Sequence, residues 1–232
     1  MRSRETVDLS IYARGVAVLA RNPVIILFPL LGAVADIGLQ YMRGPILDPL
    51  GGNDLGLFGL IVNLVYWFAF ALAVIAAETA WRNRRPTLPD TWDEGKRKAG
   101  GIVLATIGMM FILFAAGMVG NFLGPLSILL VMAALYFLIY TIPAAAIGGV
   151  PGGAALQVSI ERVRSNYLGA AVLAAVALLL YYYVLGQWLP EWIFPLGVAA
   201  MYVLPVIKAI VVAYLAVVFA RQYDEVGFFR PY

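Results

Sequence analysis

From Ala99 to Ile160 the chain runs for 62 residues without one charged side chain. A single helix of that length would measure about 93 Å, against a bilayer hydrocarbon core of about 30 Å. The run must therefore turn back on itself. Gly120-Asn121-Phe122-Leu123-Gly124-Pro125 concentrates the residues that form turns, which predicts spans near 101–120 and 126–148. Apolar stretches of similar length predict four more, near 23–42, 55–81, 168–189 and 193–220. Pro23 suits the first helical turn of the earliest of these. The expected fold is an all-α polytopic bundle of six transmembrane helices, filling 1–232 as one integral membrane domain.

Composition agrees. The chain is 63% hydrophobic and 12% charged, where a water-soluble protein carries roughly 25% charge; its mean hydropathy is +0.89. It has neither Cys nor His. That excludes disulfides, thiolate metal sites, iron–sulfur clusters, Ser-His-Asp triads and imidazole-ligated zinc or haem. No cofactor or metal is expected.

Orientation follows from the basic residues near helix ends. Arg2, Arg4, Arg14 and Arg21 precede the first span. Arg82, Arg84, Arg85, Lys96, Arg97 and Lys98 separate the second from the third. Arg162 and Arg164 separate the fourth from the fifth, and Arg221 and Arg230 follow the sixth. All fourteen fall on one side of a six-span arrangement, and Arg43 alone falls on the other. Both termini are expected in the cytoplasm, with cytoplasmic segments near 1–22, 82–100, 149–167 and 221–232. This reading puts the protein in the cytoplasmic membrane of a prokaryote. The apolar stretch after Asn22 is too long for a secretory signal and contains Asp36, so it reads as retained.

Each odd-numbered span follows a short basic segment: Thr6–Arg21, Pro89–Lys98 and Gly153–Ser165. The junctions Arg21-Asn22-Pro23, Lys98-Ala99-Gly100 and Ser165-Asn166-Tyr167 look alike, and Tyr140-Thr141-Ile142-Pro143 matches Tyr202-Val203-Leu204-Pro205 in spacing. The pattern suggests a threefold repeat of an interfacial helix followed by a transmembrane hairpin. In the third segment Leu156, Ile160 and Val163 recur at helical spacing opposite Gln157, Glu161 and Arg164. In the second, Asp90 is expected to cap a helix with Asp93 and Glu94 in its first turn and Lys96, Arg97 and Lys98 at its end, matching the helix dipole.

Arg21-Asn22-Pro23-Val24-Ile25-Ile26-Leu27-Phe28-Pro29-Leu30-Leu31 resembles the opening of uncharacterised bacterial and archaeal multi-pass proteins related to the glycerophosphoryl diester phosphodiesterase membrane domain. Arg85-Pro86-Thr87-Leu88, and Ala155-Leu156 through Arg164-Ser165-Asn166, add to the likeness. The resemblance implies a multi-pass fold and no established activity. The phosphodiesterase chemistry resides in a separate soluble domain, of which nothing is present here.

Asp90-x-x-Asp93-Glu94 has the look of a Mg²⁺ cluster and faintly resembles the acidic motif of CDP-alcohol phosphotransferases. Glu94 interrupts the expected Asp-Gly and no downstream acidic pair follows, so helix capping explains these carboxylates better. Lys208 in the sixth span invites a retinal Schiff base, but six spans and a third span free of carboxylates argue against it. The Gly148–Gly153 and Gly51-Gly52 clusters match no phosphate loop and read as breaks between helices. Tyr181, Tyr182, Tyr183, Trp188 and Trp192 read as an aromatic belt. Phe228–Tyr232 reads as an interfacial anchor.

Asp36 lies fifteen residues beyond Arg21, and Lys208 thirteen before Arg221, which places both about 20 Å from the same end of their helices. Opposite charges at matched depth predict neighbouring helices and an intramembrane ion pair. Pro29, Pro143 and Pro205 each free a carbonyl inside the membrane and are the candidate helix breaks. Arg82, Arg84, Arg85, Lys96, Arg97 and Lys98 are expected to meet anionic lipid head groups rather than nucleic acid. These features favour a non-enzymatic, transport-type protein, a permease or channel for a small solute or lipid. The alternative is a scaffold or accessory subunit that packs on itself or on a membrane-protein partner.

Overall fold

The structure, a computed structural model, describes residues 7–47, 56–124 and 127–227. Arg2, Arg4, Gly51-Gly52, Pro125 and Phe228–Tyr232 lie outside these described residues, as do the side chains of Asp36, Arg43, Asn121 and Tyr182. The described residues are helical, without strands. Five helices are long and apolar enough to cross a membrane, or six if one bent pair counts as a single span. The chain is a multi-pass membrane protein.

That bent pair opens the chain. Helix α1 (Ser10–Arg21) meets α2 (Val24–Leu47) at 83°. Asp8 accepts a hydrogen bond from the Ser10 N–H (2.9 Å) to start α1, and this contact with Ser10 holds the Asp8 carboxyl below the usual carboxylate range. Asn22 forms the joint. Its N–H bonds to the Leu19 carbonyl, its side-chain amide to the Val18 carbonyl (2.9 Å), and its own carbonyl accepts the Ile25 N–H.

Helix α3 (Gly56–Trp81) returns, and Asn83, at φ 57°, turns the chain toward α4 (Leu88–Leu123). The expected division at Lys98-Ala99-Gly100 does not exist: basic segment and third span form one continuous helix of 36 residues. Ala and Gly offer no side chain that could cap a new start. The expected cap also moves. Thr87, not Asp90, is the N-cap: its Oγ1 accepts the Asp90 N–H (3.3 Å), and its hydroxyl donates to Asp90 Oδ2 (2.6 Å).

The fourth span is broken. Helix α5 (Ser127–Phe137) gives way at 138–140 to the short α6 (Thr141–Ala146). Pro143 cannot donate to the carbonyl four residues earlier, and its ring crowds that carbonyl. Glycines at positive φ, Gly149 and Gly152, then turn the chain into α7 (Gly153–Ser165). The buried face of α7 is Ala155, Ser159 and Val163, so Leu156 and Ile160, expected at its centre, are half-buried flanks.

Helix α8 (Tyr167–Leu178) begins at Asn166, whose Oδ1 accepts the Gly169 N–H (3.0 Å). It widens into a π-helical segment (Leu179–Trp188) and resumes as α9 (Leu189–Ile193). The predicted turn near Pro190 is thus absent. A π turn moves the carbonyl four residues before the proline off its ring, so the helix continues past Pro190. The reversal comes later, in a 3₁₀ turn (Phe194–Ala199) where Gly197 takes φ 56°. Helix α10 (Ala200–Gly227) closes the chain with Pro205 inside it.

α2, α3 and α10 pack against one another, with α4 and α6 beside α3 and with α1 and α7 against α10. The core is built on small residues. Ala69, Ala73, Ala76 and Ala80 of α3, and Ala209, Ala213, Ala216 and Ala220 of α10, follow the same 4-3-4 spacing and are buried. Such stripes let helix backbones approach closely. Gly32 of α2 completes the contact, because a Cβ there would lie 2.7 Å from the Ala69 Cβ.

Candidate functional site

Two places gather the polar and helix-breaking residues. One is a knot at the end of the bundle that carries α1, α7 and the start of α4. The break before α6 leaves the Tyr140 N–H and the Phe137 carbonyl without partners in their own helix. Ser159 of α7 serves both, its Oγ accepting from the Tyr140 N–H (3.0 Å) and donating to the Phe137 carbonyl (2.8 Å). The Lys98 ammonium caps α6 by donating to the Ala146 carbonyl (2.7 Å). The Arg162 guanidinium lies 3.4 Å from the centre of the Tyr223 ring and donates to the Tyr223 carbonyl. Gln222, buried, donates to the Gly169 carbonyl (2.6 Å). Apart from the stacking of Arg162 on the Tyr223 ring, each of these contacts joins a side chain to the backbone of another part of the bundle. The knot is structural in character, and Pro143 belongs to it.

The other place is a cavity of about 790 Å³ bounded by α2, α3, the π segment and α10. Pro29, Ala33 and Ile37 line it from α2, and Val62, Asn63 and Tyr66 from α3. Tyr181 comes from the π segment, and Tyr202, Leu204, Pro205, Lys208, Ala209 and Val212 from α10. Two of the three candidate prolines and Lys208 therefore converge here. Each proline sits in the second turn of its helix and has no N–H to donate to the carbonyl four residues earlier. The walls are mainly apolar. The polar groups are the Lys208 ammonium, the Asn63 amide, which donates to the Gly59 carbonyl of its own helix (2.8 Å), and the tyrosine hydroxyls.

Lys208 is exposed within this cavity, and no carboxylate among the described residues forms an ion pair with it. The helices that carry Asp36 and Lys208 are neighbours. The ion pair expected between them depends on the Asp36 side chain, which lies outside the described residues.

The basic residues divide by role. Arg82 pairs with Glu78 (2.5 Å), Lys96 with Asp93 (2.8 Å), and Lys98 with Glu94 (2.8 Å), which Arg97 also meets. Arg84 and Arg85 are exposed and form no ion pair among the described residues. The carboxylates once suggestive of a metal site are thus spent on capping and local pairs. No group of three potential metal ligands occurs among the described residues. The depression lined by Asp90, Asp93, Lys96 and Arg97 is the outer surface of this same helical turn.

Sequence reasoning missed Ser159, Asn63, Tyr66 and the π segment. Asn63 left a signal, as a lone amide in a span otherwise apolar up to Glu78. Ser159 left a weaker one, on the α7 face shared by Ala155 and Val163. No family model matches this chain, and neither a curated protein nor a solved structure is detectably similar to it.

Proposed function

We propose that this chain is a non-enzymatic, transport-type protein of a prokaryotic cytoplasmic membrane, with the Lys208 cavity as its substrate site. The carrying observation is the convergence of Pro29, Pro205 and Lys208 on one cavity between α2, α3 and α10. A charge deep in a bilayer costs about 2.5–3.5 kcal/mol on insertion scales, so an intramembrane lysine marks a pathway or a binding site by default. Helices loosened by proline at the same site supply backbone able to rearrange. In this reading both termini are cytoplasmic, Arg84 and Arg85 meet anionic lipid, and the first and third hairpins follow a repeated plan. The similar Asn22 and Asn166 joints support that plan, with φ, ψ of −132°, 67° and −143°, 67°.

Flux in proteoliposomes tests the proposal. The protein should raise the permeability of vesicles to at least one small solute or lipid probe above that of empty vesicles. Ala33→Trp, which fills the cavity from its α2 wall, should abolish the increase. Flux equal to empty vesicles across a broad panel overturns it. The scaffold reading draws on the far part of α4 and the start of α5, where Phe111, Phe114, Phe122 and Ile128 are exposed. A stoichiometric partner retained in mild detergent, together with absent flux, would favour it.

A further inference from the structure

We propose that the Lys208 cavity binds an amphiphilic anion, with its negative charge held by the Lys208 ammonium and its apolar tail along Pro29, Ala33, Val62 and Val212. The inference builds on the cavity's role as a substrate site and names the chemistry of what enters it.

Three properties of the lining lead there. First, the charge. Lys208 is the one charged residue of α10 before Arg221, and among the described residues it has no carboxylate partner. A cation at this depth favours an anion that brings its own charge. Second, the walls. Leu204, Ile37, Val62 and Val212 are apolar, and the polar groups gather around a single cation rather than in a relay. An inorganic anion would satisfy the ammonium and leave those walls bare. A neutral apolar molecule would cover the walls and leave the ammonium without a counter-ion. Third, the size. A cavity near 790 Å³ falls within the range of about 300–1,000 Å³ that encloses small organic ligands. Tyr202 and Tyr181 are well exposed on this face and offer hydroxyls to the head of such a ligand.

The same chemistry could arrive as a free single-chain carboxylate or as an anionic lipid from the surrounding bilayer. The test therefore uses the full chain in nanodiscs of zwitterionic lipid. Decanoate, decanol and chloride are titrated separately, with ligand-induced thermal stabilisation as the readout. In a second set of discs phosphatidylglycerol replaces part of the zwitterionic lipid. Decanoate should bind at least tenfold more tightly than decanol, and chloride should not stabilise the protein at comparable concentration. Lys208→Met should weaken decanoate binding at least tenfold, the loss expected for one charge-assisted hydrogen bond. Lys208→Arg should retain most of the affinity. Saturable decanoate binding in zwitterionic discs identifies the free amphiphile as the source; stabilisation that appears only with phosphatidylglycerol, and is lost in Lys208→Met, identifies the bilayer lipid.

Equal affinity for decanoate and decanol overturns the proposal, as does binding unaffected by Lys208→Met. Should that variant fail to fold, the decanoate-to-decanol ratio of the wild-type protein decides the matter. Asp36→Asn provides a further check: loss of binding equal to that of Lys208→Met would show that the cation serves a fixed ion pair, and would also overturn it. Binding without flux would leave this inference standing and defeat the transport reading. Flux of neutral solutes without anion binding would do the reverse.

Discussion

The two halves of the bundle are held together differently. In the half that carries α1, α7 and the start of α4, side chains reach across to other helices' backbones: Ser159 to the α5–α6 break, Lys98 to Ala146, Gln222 to Gly169, Trp81 to Val217 and Tyr214 to Tyr12. Tyr136 adds another, its hydroxyl donating to the Tyr167 carbonyl (2.8 Å). The alanine stripes of α3 and α10 lie mostly there too. Toward the other end the helices part around the Lys208 cavity, and the Asn63 amide donates to its own helix, at the Gly59 carbonyl. One half is a base stapled through its backbone; the other is walls. In a bilayer, where hydrophobic burial no longer drives helices together, close packing and polar contacts supply the attraction. The half that has both is the half that stays closed.

The largest test of this contrast is Ser159→Ala. It leaves the buried Tyr140 N–H unpaired, which costs about 1–3 kcal/mol, and removes the bond to the Phe137 carbonyl, worth about 1 kcal/mol. A loss of about 2–4 kcal/mol is expected on the same grounds, measured by thermal melting in detergent and in nanodiscs. A loss comparable to that of Tyr202→Ala in the cavity wall, where little change is expected, would erase the distinction between the halves.

Next comes Gly32→Ala at the close contact of α2 with α3. The new Cβ would fall 2.7 Å from that of Ala69, so the two helices must separate. Overpacking of this kind costs about 1–3 kcal/mol. Ala69→Gly in the same chain should recover most of that loss, and no recovery would show that the contact is less close than it looks.

Smaller effects separate the three junctions that look alike in sequence. Asn22 and Asn166 adopt nearly the same backbone conformation, and each begins a new helix; Ala99-Gly100 lies within α4. Asn166→Ala removes the acceptor of the Gly169 N–H and should cost about 1 kcal/mol, as lost N-caps do. Gly100→Ala should instead stabilise by up to about 1 kcal/mol, because nothing lies within 4 Å of its added Cβ and the helix is continuous. Destabilisation there would restore the joint. The charge pattern before each span made all three legible as basic segments. It could not tell a joint from a continuous helix, since that depends on whether a side chain is present to cap the new start.

Other features of the fold follow the same division between local and non-local causes. The apolar run near 55–81 is a helix over its described part, Gly56–Trp81, because apolar length is a local property. The turn after the fifth was misplaced to Pro190, because the π segment that carries the helix past this proline has no local signature; Gly197 carries the reversal. Pro29, Pro205 and Lys208 were each legible as candidates. Their convergence was not, because it requires α2, α3 and α10 to pack together, and nothing in the spacing within one helix states which helix lies beside it. Ser159 was hidden for the same reason, as its role exists only where α7 crosses the α5–α6 break.

The smallest expected effect falls on Lys208 itself. A buried ion pair broken by removing one partner costs about 3–5 kcal/mol, because the surviving charge is left in a dry site. Lys208, however, is exposed in an open cavity and has no carboxylate partner among the described residues. Its ammonium can keep water or a ligand anion, so Lys208→Met should change stability in zwitterionic nanodiscs by less than about 0.5 kcal/mol, the range of substitutions away from buried networks. Asp36→Asn and the double variant complete a cycle with Lys208→Met. Coupling near zero places Lys208 with the walls, as a group held open for a ligand. A loss of several kcal/mol in each single variant, relieved in the double, would make Asp36 and Lys208 a clasp between α2 and α10. The cavity end would then possess a staple of its own, and the contrast between the two halves would fail at the residue on which the proposed function most depends.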